Sequence, residues 1–121
     1  MSDVTQKLAK VCQAIGEKKG EDVLVLDISQ VSSFTDFFIL CHGNNEKQIQ
    51  AICDAIREVL AKEEQTRPAH VEGYRNAAWV LLDYLDFVVH IFSEPTRRFY
   101  NLEKLWSDGT AVNRQACPPE F

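Results

Sequence analysis

The chain has 121 residues, of which 45% are hydrophobic and 26% are charged, and its formal net charge at pH 7 is −5. This length and composition predict one folded domain and exclude a disordered chain. The negative charge argues against a protein that grips nucleic acid by its phosphates, because that mode needs clustered lysine and arginine. We therefore expect no sequence-specific binding of nucleic acid.

The N-terminal segment MSDVTQKLAKVCQAIGEKKG lacks the apolar core of a signal peptide, and no apolar run is long enough to span a bilayer. The four cysteines have no CxxC spacing, which favours free thiols over a disulfide framework and gives no basis for a zinc site. We expect a cytoplasmic protein without membrane contact, bound metal or cofactor.

The first half of the chain predicts a helix, two strands and a second helix. Apolar residues recur at helical spacing from the N-terminus and stop near Gly20. Two β-branched and aromatic runs, DVLVLDIS at 22–29 and FFILCHG at 37–43, predict strands. Asn44 or Asn45 is suited to cap the next helix, whose apolar positions trace one face.

The second half predicts three strands and a last helix. The segment RPAHVEGY at 67–74 is expected to be an edge strand, because Pro68 cannot donate to a ladder. Two further strands, at 79–83 and 87–92, are joined by a very tight turn. The last helix begins at Pro95, which fits a first helical turn, and it is expected to end at Gly109.

The predicted order of elements is α-β-β-α-β-β-β-α. Alternating helices and strands of this kind predict an α/β (α+β) fold, a single domain in which a mixed β-sheet of about five strands is flanked by helices. The domain is expected to span residues 1–108. Residues 109–121 show no periodicity and are expected to form a mobile tail.

Two aspartates, Asp83 and Asp86, interrupt the most apolar stretch of the chain, AAWVLLDYLDFVVHIFSEP. If Tyr84-Leu85 forms a two-residue turn, the two carboxylates lie opposite one another, with Cβ atoms about 5 Å apart. Their repulsion would then favour a cation beside them, which is either Mg²⁺ or a basic side chain of a partner or of the protein itself, such as Arg97 or Arg98. The alternative is that both are solvated residues of a turn.

Side chains alternate along a strand, so Trp79 and Leu81 share a face with Asp83. An aromatic, an aliphatic and a carboxylate side chain in line are typical of a protein–protein contact, although Trp79 alone is equally explained as a core residue. On the last helix Phe99 is expected to pack inward and Tyr100 to face a partner. Trp106 has the same two interpretations as Trp79.

Other polar residues are expected to have supporting roles. His90 shares a predicted strand face with Asp86, so the pair is a candidate general base. No nucleophile motif accompanies it, and the favoured role of His90 is to anchor the acidic hairpin or the binding face. Thr35 and Asp36 are expected to brace the loop before the second strand through side-chain to backbone hydrogen bonds.

The block WVLLDYLDFVVHIFSEPTRRFYNLEKLW resembles the Iojap/RsfS family, the ribosomal silencing factors, in which a tryptophan strand runs into Asp-x-Gly-Asp and then Val-His. The resemblance continues in VLDIS, SSFTDFFILCHG and VEGYRNAAW, and it covers roughly residues 4–108. The chain departs from the family pattern at Leu85, where the family usually carries glycine, so the geometry of this turn is open.

The resemblance implies a repressor that binds the large ribosomal subunit through the L-fourteen ribosomal protein, blocks joining of the small subunit and represses translation when nutrients are limited. It also implies that homodimers are possible, and a fold similar to that of nucleotidyltransferases. The alternative is therefore a magnesium-dependent nucleotidyltransferase or nucleotide-binding enzyme. However, the turn HGNN at 42–45 lacks the Gly-Ser and paired acidic residues of such enzymes, so no catalytic residue is expected. The expected partner contacts are Trp79, Leu81, Asp83, Asp86, Tyr100 and Trp106, and the supporting residues are Thr35, Asp36, His90 and Arg97.

Overall fold

A computed structural model of the protein describes residues 3–30 and 32–101. The helices are α1 (Asp3–Glu17), α2 (Glu46–Glu64) and α3 (Glu94–Tyr100). The strands are β1 (Glu21–Asp27), β2 (Phe37–Gly43), β3 (His70–Glu72), β4 (Trp79–Asp83) and β5 (Phe87–Ser93). The predicted order of elements is confirmed.

The strands form one sheet in the order β1-β2-β5-β4-β3. β2 and β5 run parallel at its centre, and every other neighbouring pair is antiparallel. The sheet is therefore mixed and has five strands, as predicted, and β3 lies at its edge. Three elements, α2, β3 and β4, separate the two parallel strands in the sequence, which is the long connection that parallel pairing requires.

The two faces of the sheet differ in what covers them. α1 and α2 pack on one face, where Val25, Ile39, Val80 and Val89 enter the main hydrophobic core. We call the opposite face the Trp79 face. From β1 to β4 it carries Leu24, Leu26, Phe38, Leu40, His42, Val88, His90, Phe92, Trp79, Leu81 and Asp83.

Local chemistry places the helix starts. The Asn45 side chain accepts a hydrogen bond of 2.8 Å from the backbone N–H of Gln48 and caps α2. Ser93 caps α3 in the same way through Thr96 N, and Pro95 occupies the first turn, as predicted.

The last helix is shorter than the sequence predicts. α3 ends at Tyr100, because Asn101 adopts the left-handed conformation with φ 48° and donates its N–H to the carbonyl of Arg97. Asparagine tolerates this conformation well and commonly ends helices in this way. The expected end at Gly109, Trp106 and the expected tail at 109–121 lie outside the described residues.

The cysteines only partly follow the expectation of free thiols. Cys41 and Cys53 are free and buried, and burial raises the pKa of Cys41 to about 12 and that of Cys53 to about 11. Cys12 is disulfide-bonded, so the expectation is wrong at that position. Across the described part of the chain, no helix is long and apolar enough to cross a membrane.

Candidate partner-binding site

Trp79 lies half-buried at the start of β4, and its indole ring contacts three other rings among the described residues. Its ring centroid lies 4.9 Å from Tyr100, 5.0 Å from Phe92 and 5.9 Å from His90. The indole N–H donates a hydrogen bond of 3.0 Å to Nδ1 of His90. Strand pairing explains this contact, because β4 and β5 place Leu81 opposite His90 and Trp79 diagonally next to it. Trp79 is therefore held firmly at the margin of the core.

His90 is buried beneath this tryptophan and is neutral at pH 7. Burial lowers its pKa from 6.5 to about 4, because the charged imidazolium would lose its hydration. The indole can only donate, so Nδ1 must accept and the proton of the neutral ring sits on Nε2. Nε2 has no hydrogen-bond partner in the part of the chain that the structure describes. A ring fixed in this way orients Trp79 and is not exposed to act as a general base.

The proposed pairing of His90 with Asp86 is wrong. Asp86 lies in the turn before β5, whereas His90 lies in the middle of that strand with Trp79 as its partner. The Phe38 ring makes a T-shaped contact with the imidazole at a centroid distance of 4.6 Å. The surroundings of His90 on the neighbouring strands are thus apolar and aromatic.

The hairpin that carries the two aspartates is shifted by one residue from the prediction. Asp83 pairs with Val88, so the two-residue turn is Leu85-Asp86 and not Tyr84-Leu85. Asp83 is the last residue of β4, and its Oδ1 accepts a 2.8 Å hydrogen bond from the N–H of Leu85. The two carboxylates are therefore not opposite one another, and the paired cation site that was considered for them is wrong.

Neither Arg97 nor Arg98 reaches these carboxylates. Both follow β5, whereas Asp86 precedes that strand, so they lie toward the opposite end of the sheet, and Arg98 pairs with Glu94 at 2.8 Å. The buried Arg97 guanidinium donates to Nδ1 of His42 at 3.1 Å and to the carbonyl oxygen of Glu21 at 3.4 Å. On the far side of the His42 ring, Nε2 lies 3.4 Å from Oε1 of Glu21. Arg97 thereby joins α3 to the ends of β1 and β2.

The loop before β2 is braced by a different residue from those expected. The hydroxyl of Ser32 accepts hydrogen bonds from the N–H groups of Phe34 and Thr35. The buried hydroxyl of Thr35 has no hydrogen-bond partner among the described residues. Asp36 acts through its backbone, which bonds to Ile28 N and Asp86 O. The assignment of side-chain bracing to Thr35 and Asp36 is therefore wrong.

On α3 the two aromatic residues differ from the prediction. Phe99 was expected to pack inward, but it is 80% exposed, while Tyr100 is 52% exposed and its ring packs at a tilt of 51° against Trp79. Both residues lie in the last turn of α3, which ends at Tyr100. Tyr100 is thus at the surface, next to the predicted strand residues.

These contacts bring Trp79, Leu81, Asp83 and Tyr100 together on one surface, and Asp86 lies at the hairpin tip. Two residues that sequence reasoning missed extend this surface at the sheet edge: His70 pairs with Asp83 and Glu72 pairs with Leu81. Their alternation with Val71 was the available signal, because Val71 packs against the core on the other face. The surface combines aromatic area with carboxylates. Among residues 3–30 and 32–101 no cluster of three His, Cys, Asp or Glu side chains could hold a metal ion.

Comparison with known proteins agrees on one family. Residues 2–120 match the family described as "Ribosomal silencing factor during starvation". A protein of Halalkalibacterium halodurans named "Ribosomal silencing factor RsfS" is 46% identical over 99 residues, which cover 82% of this chain and 84% of the relative. A protein of the same name from Bacillus subtilis is 45% identical over 95 residues, covering 78% and 80%. A crystal structure from Bacillus halodurans matches with a TM-score of 0.72 and 45% identity, covering 84% of this chain and 94% of that chain.

Proposed function

The chain belongs to the ribosomal silencing factor family, and we propose that it binds the large ribosomal subunit through the L-fourteen ribosomal protein. By occupying that surface it blocks joining of the small subunit and represses translation when nutrients are limited. The proposed action is steric and needs no catalysis, and its site is the cytoplasm. We assign it to a domain at residues 1–108.

The observation that carries this proposal is the surface formed by Trp79, Leu81, Asp83 and Tyr100. Tryptophan and tyrosine are enriched among residues that dominate the energy of protein interfaces, and such residues are most effective when their orientation is fixed before binding. The hydrogen bond from Trp79 to His90 and the tilted ring contact between Tyr100 and Trp79 supply that fixed orientation.

The charge of this surface supports a basic partner. Asp83, Asp86 and Glu72 lie on or beside the Trp79 face, and the whole chain carries a net charge of −5. Carboxylates around an aromatic centre attract a basic ribosomal protein and speed the encounter, whereas they repel the phosphates of ribosomal RNA. The contact with the large subunit is therefore proposed to be a contact with protein.

The alternative of a magnesium-dependent nucleotidyltransferase required Asp83 and Asp86 to face each other. The observed register separates them, since Asp83 ends β4 and Asp86 occupies the turn. The names of the relatives also point to regulation.

A homodimer stays a proposal that follows from the family resemblance. The half-buried Trp79 and Leu81 and the exposed Tyr100 could be covered by a second copy as well as by the ribosome. The two states would then compete for one surface. Sedimentation of the protein alone over a range of concentrations measures the dimer separately from ribosome binding.

The test is co-sedimentation of the purified protein with separated ribosomal subunits through a sucrose gradient, followed by addition of the complementary subunit. We expect the protein in the large-subunit fraction only, fewer joined ribosomes, and weaker binding as the salt concentration rises. Sedimentation with neither subunit would contradict the proposal. Titration calorimetry with Mg²⁺ and ATP or GTP would then test the nucleotide alternative.

Substitution of Tyr100 tests the assigned surface. Tyr100→Ala should weaken binding to the large subunit by roughly tenfold, because an exposed aromatic contact is lost while the fold keeps its buried core. The matched control is Tyr100→Phe, which keeps the ring against Trp79 and should bind within about threefold of the wild type. Unchanged binding by a folded Tyr100→Ala protein would show that the surface is assigned incorrectly.

A further inference from the structure

The tip of the β4–β5 hairpin holds a leucine in a backbone conformation that leucine disfavours. Leu85 is the first residue of the two-residue turn and has φ +75°. The N–H of Asp86 donates to the carbonyl of Tyr84 at 2.9 Å and closes a tight turn around Leu85. A side chain with a Cβ is strained in this region, where glycine or asparagine is the usual residue.

The bonds around the turn show why the strain persists. Tyr84 N–H donates to the carbonyl of Phe87 at 2.9 Å, and the Tyr84 and Phe87 rings stack at 5.1 Å on the helical side of the sheet. The carbonyl of Asp86 accepts from the N–H of Asp36, which ties the turn to the neighbouring loop. The base of the hairpin is thus fixed and presents Leu85 in one place.

The fold does not compensate for this strain by burying the Leu85 side chain. Its side chain is 64% exposed. A single exposed leucine is ordinary on a protein surface. A leucine that is exposed and also strained is different, because glycine would relieve the backbone strain with little loss of packing. Strained residues that the surrounding structure holds in place cluster at functional contacts.

The neighbours of Leu85 indicate the chemistry of what it touches. Asp83 and Asp86 place one carboxylate on each side of the leucine in the sequence, and the Asp83 carboxylate accepts the Leu85 N–H at 2.8 Å. A partner that receives this tip needs an apolar depression for the side chain and basic groups around it for the carboxylates. Nucleic acid offers neither, since its backbone would repel both aspartates.

We propose that Leu85 is a contact residue that inserts into an apolar socket, rimmed by lysine or arginine, on a protein of the large ribosomal subunit. This inference rests on the proposed function and adds to it a residue that sets how tightly this chain binds. Leu85 is the apolar centre of the hairpin contact, and the two carboxylates orient the tip by attraction to the basic rim.

The test compares three substitutions by two measurements: the midpoint of thermal unfolding, and binding in a titration of separated large subunits. Leu85→Gly relieves the strain and removes the side chain, so its melting temperature should rise by roughly 3 °C while its Kd rises by about tenfold. Leu85→Asn also suits the turn and should bind as weakly. Leu85→Met keeps an apolar side chain and the strain, and should match the wild type in both measurements.

Opposite changes in stability and affinity are the distinguishing result, because damage to the fold would lower both. The inference is overturned if wild-type protein binds the large subunit and Leu85→Gly binds equally well. A lower melting temperature for Leu85→Gly would also overturn it, since the strain would then not exist. If the wild type binds neither subunit, the proposed function fails, and the inference about its partner fails with it.

Discussion

Replacement of His90 should remove a pH-dependent loss of stability that the structure predicts between pH 7 and pH 5. The folded state holds His90 neutral, with its pKa lowered from 6.5 to about 4 by burial. The unfolded chain takes up a proton on this residue near pH 6.5, whereas the folded chain does so only near pH 4. The contribution of neutral His90 to the unfolding free energy is therefore fully present above pH 6.5 and is lost as the pH falls toward 4.

The size of the effect follows from the two pKa values. The whole shift corresponds to about 3 kcal/mol, of which about 2 kcal/mol is lost between pH 7 and pH 5. His90→Asn does not titrate, and its side-chain oxygen is placed to accept the indole N–H of Trp79 in the way that Nδ1 does. His90→Leu does not titrate either, but it removes the acceptor of the part-buried indole N–H, at a cost of about 1 kcal/mol at every pH.

The assay is urea unfolding followed by circular dichroism at pH 7 and at pH 5. The difference in unfolding free energy between the two pH values should be about 2 kcal/mol smaller in both variants than in the wild type. His70 provides the matched control, because it is an exposed histidine at the edge of the same sheet and His70→Asn should retain the wild-type difference. If His90→Asn loses as much unfolding free energy between pH 7 and pH 5 as the wild type does, burial of a neutral His90 is refuted.

Two further predictions concern the supports of the site. Arg97→Ala leaves His42 without its guanidinium donor and should lower the unfolding free energy by about 2 kcal/mol. The control Arg98→Ala removes only an exposed ion pair with Glu94 of the same helix and should lower it by less than about 0.5 kcal/mol. Thermal unfolding measures both variants, and equal melting temperatures would contradict the prediction. Gly73→Ala should lower the unfolding free energy by more than about 2 kcal/mol, because Gly73 has φ +79° and a Cβ there would collide with the carbonyl oxygen of Trp79. Urea unfolding measures this loss. Wild-type stability of the variant would contradict the prediction, since the turn after β3 would then have adapted to the Cβ.

The strands and their faces were predictable because their periodicity is clear. Trp79, Leu81 and Asp83 were expected on one face from alternation alone, and the pairing of Trp79 with Phe92 and of Leu81 with His90 places them on the Trp79 face. The start and the apolar face of α2 were also predictable, since a cap was expected at Asn44 or Asn45 and the apolar positions repeat at helical spacing. Local patterns of this kind require no knowledge of distant residues.

The register of the β4–β5 hairpin was not predictable, for two physical reasons. β5 is buried on both faces, so its residues show no alternation that could fix which one faces Asp83. The turn also requires φ > 0 at Leu85, a residue that sequence reasoning does not assign to that conformation. The predicted turn lies one residue too early in the sequence, so Asp86 was placed opposite Asp83 and on the strand that carries His90. This placement suggested a cation site and a catalytic pair.

The corrected contacts give the two supporting histidines separate tasks at the proposed site. His90 receives the indole N–H and fixes the ring of Trp79 on β4. His42 receives the guanidinium of Arg97 and fixes α3 at the end of β2. Tyr100 is three residues beyond Arg97 on the same short helix, and its ring lies against Trp79. The aromatic pair is therefore held from two elements by two hydrogen bonds, one part-buried and one buried, and neither involves the carboxylates that the sequence made most conspicuous.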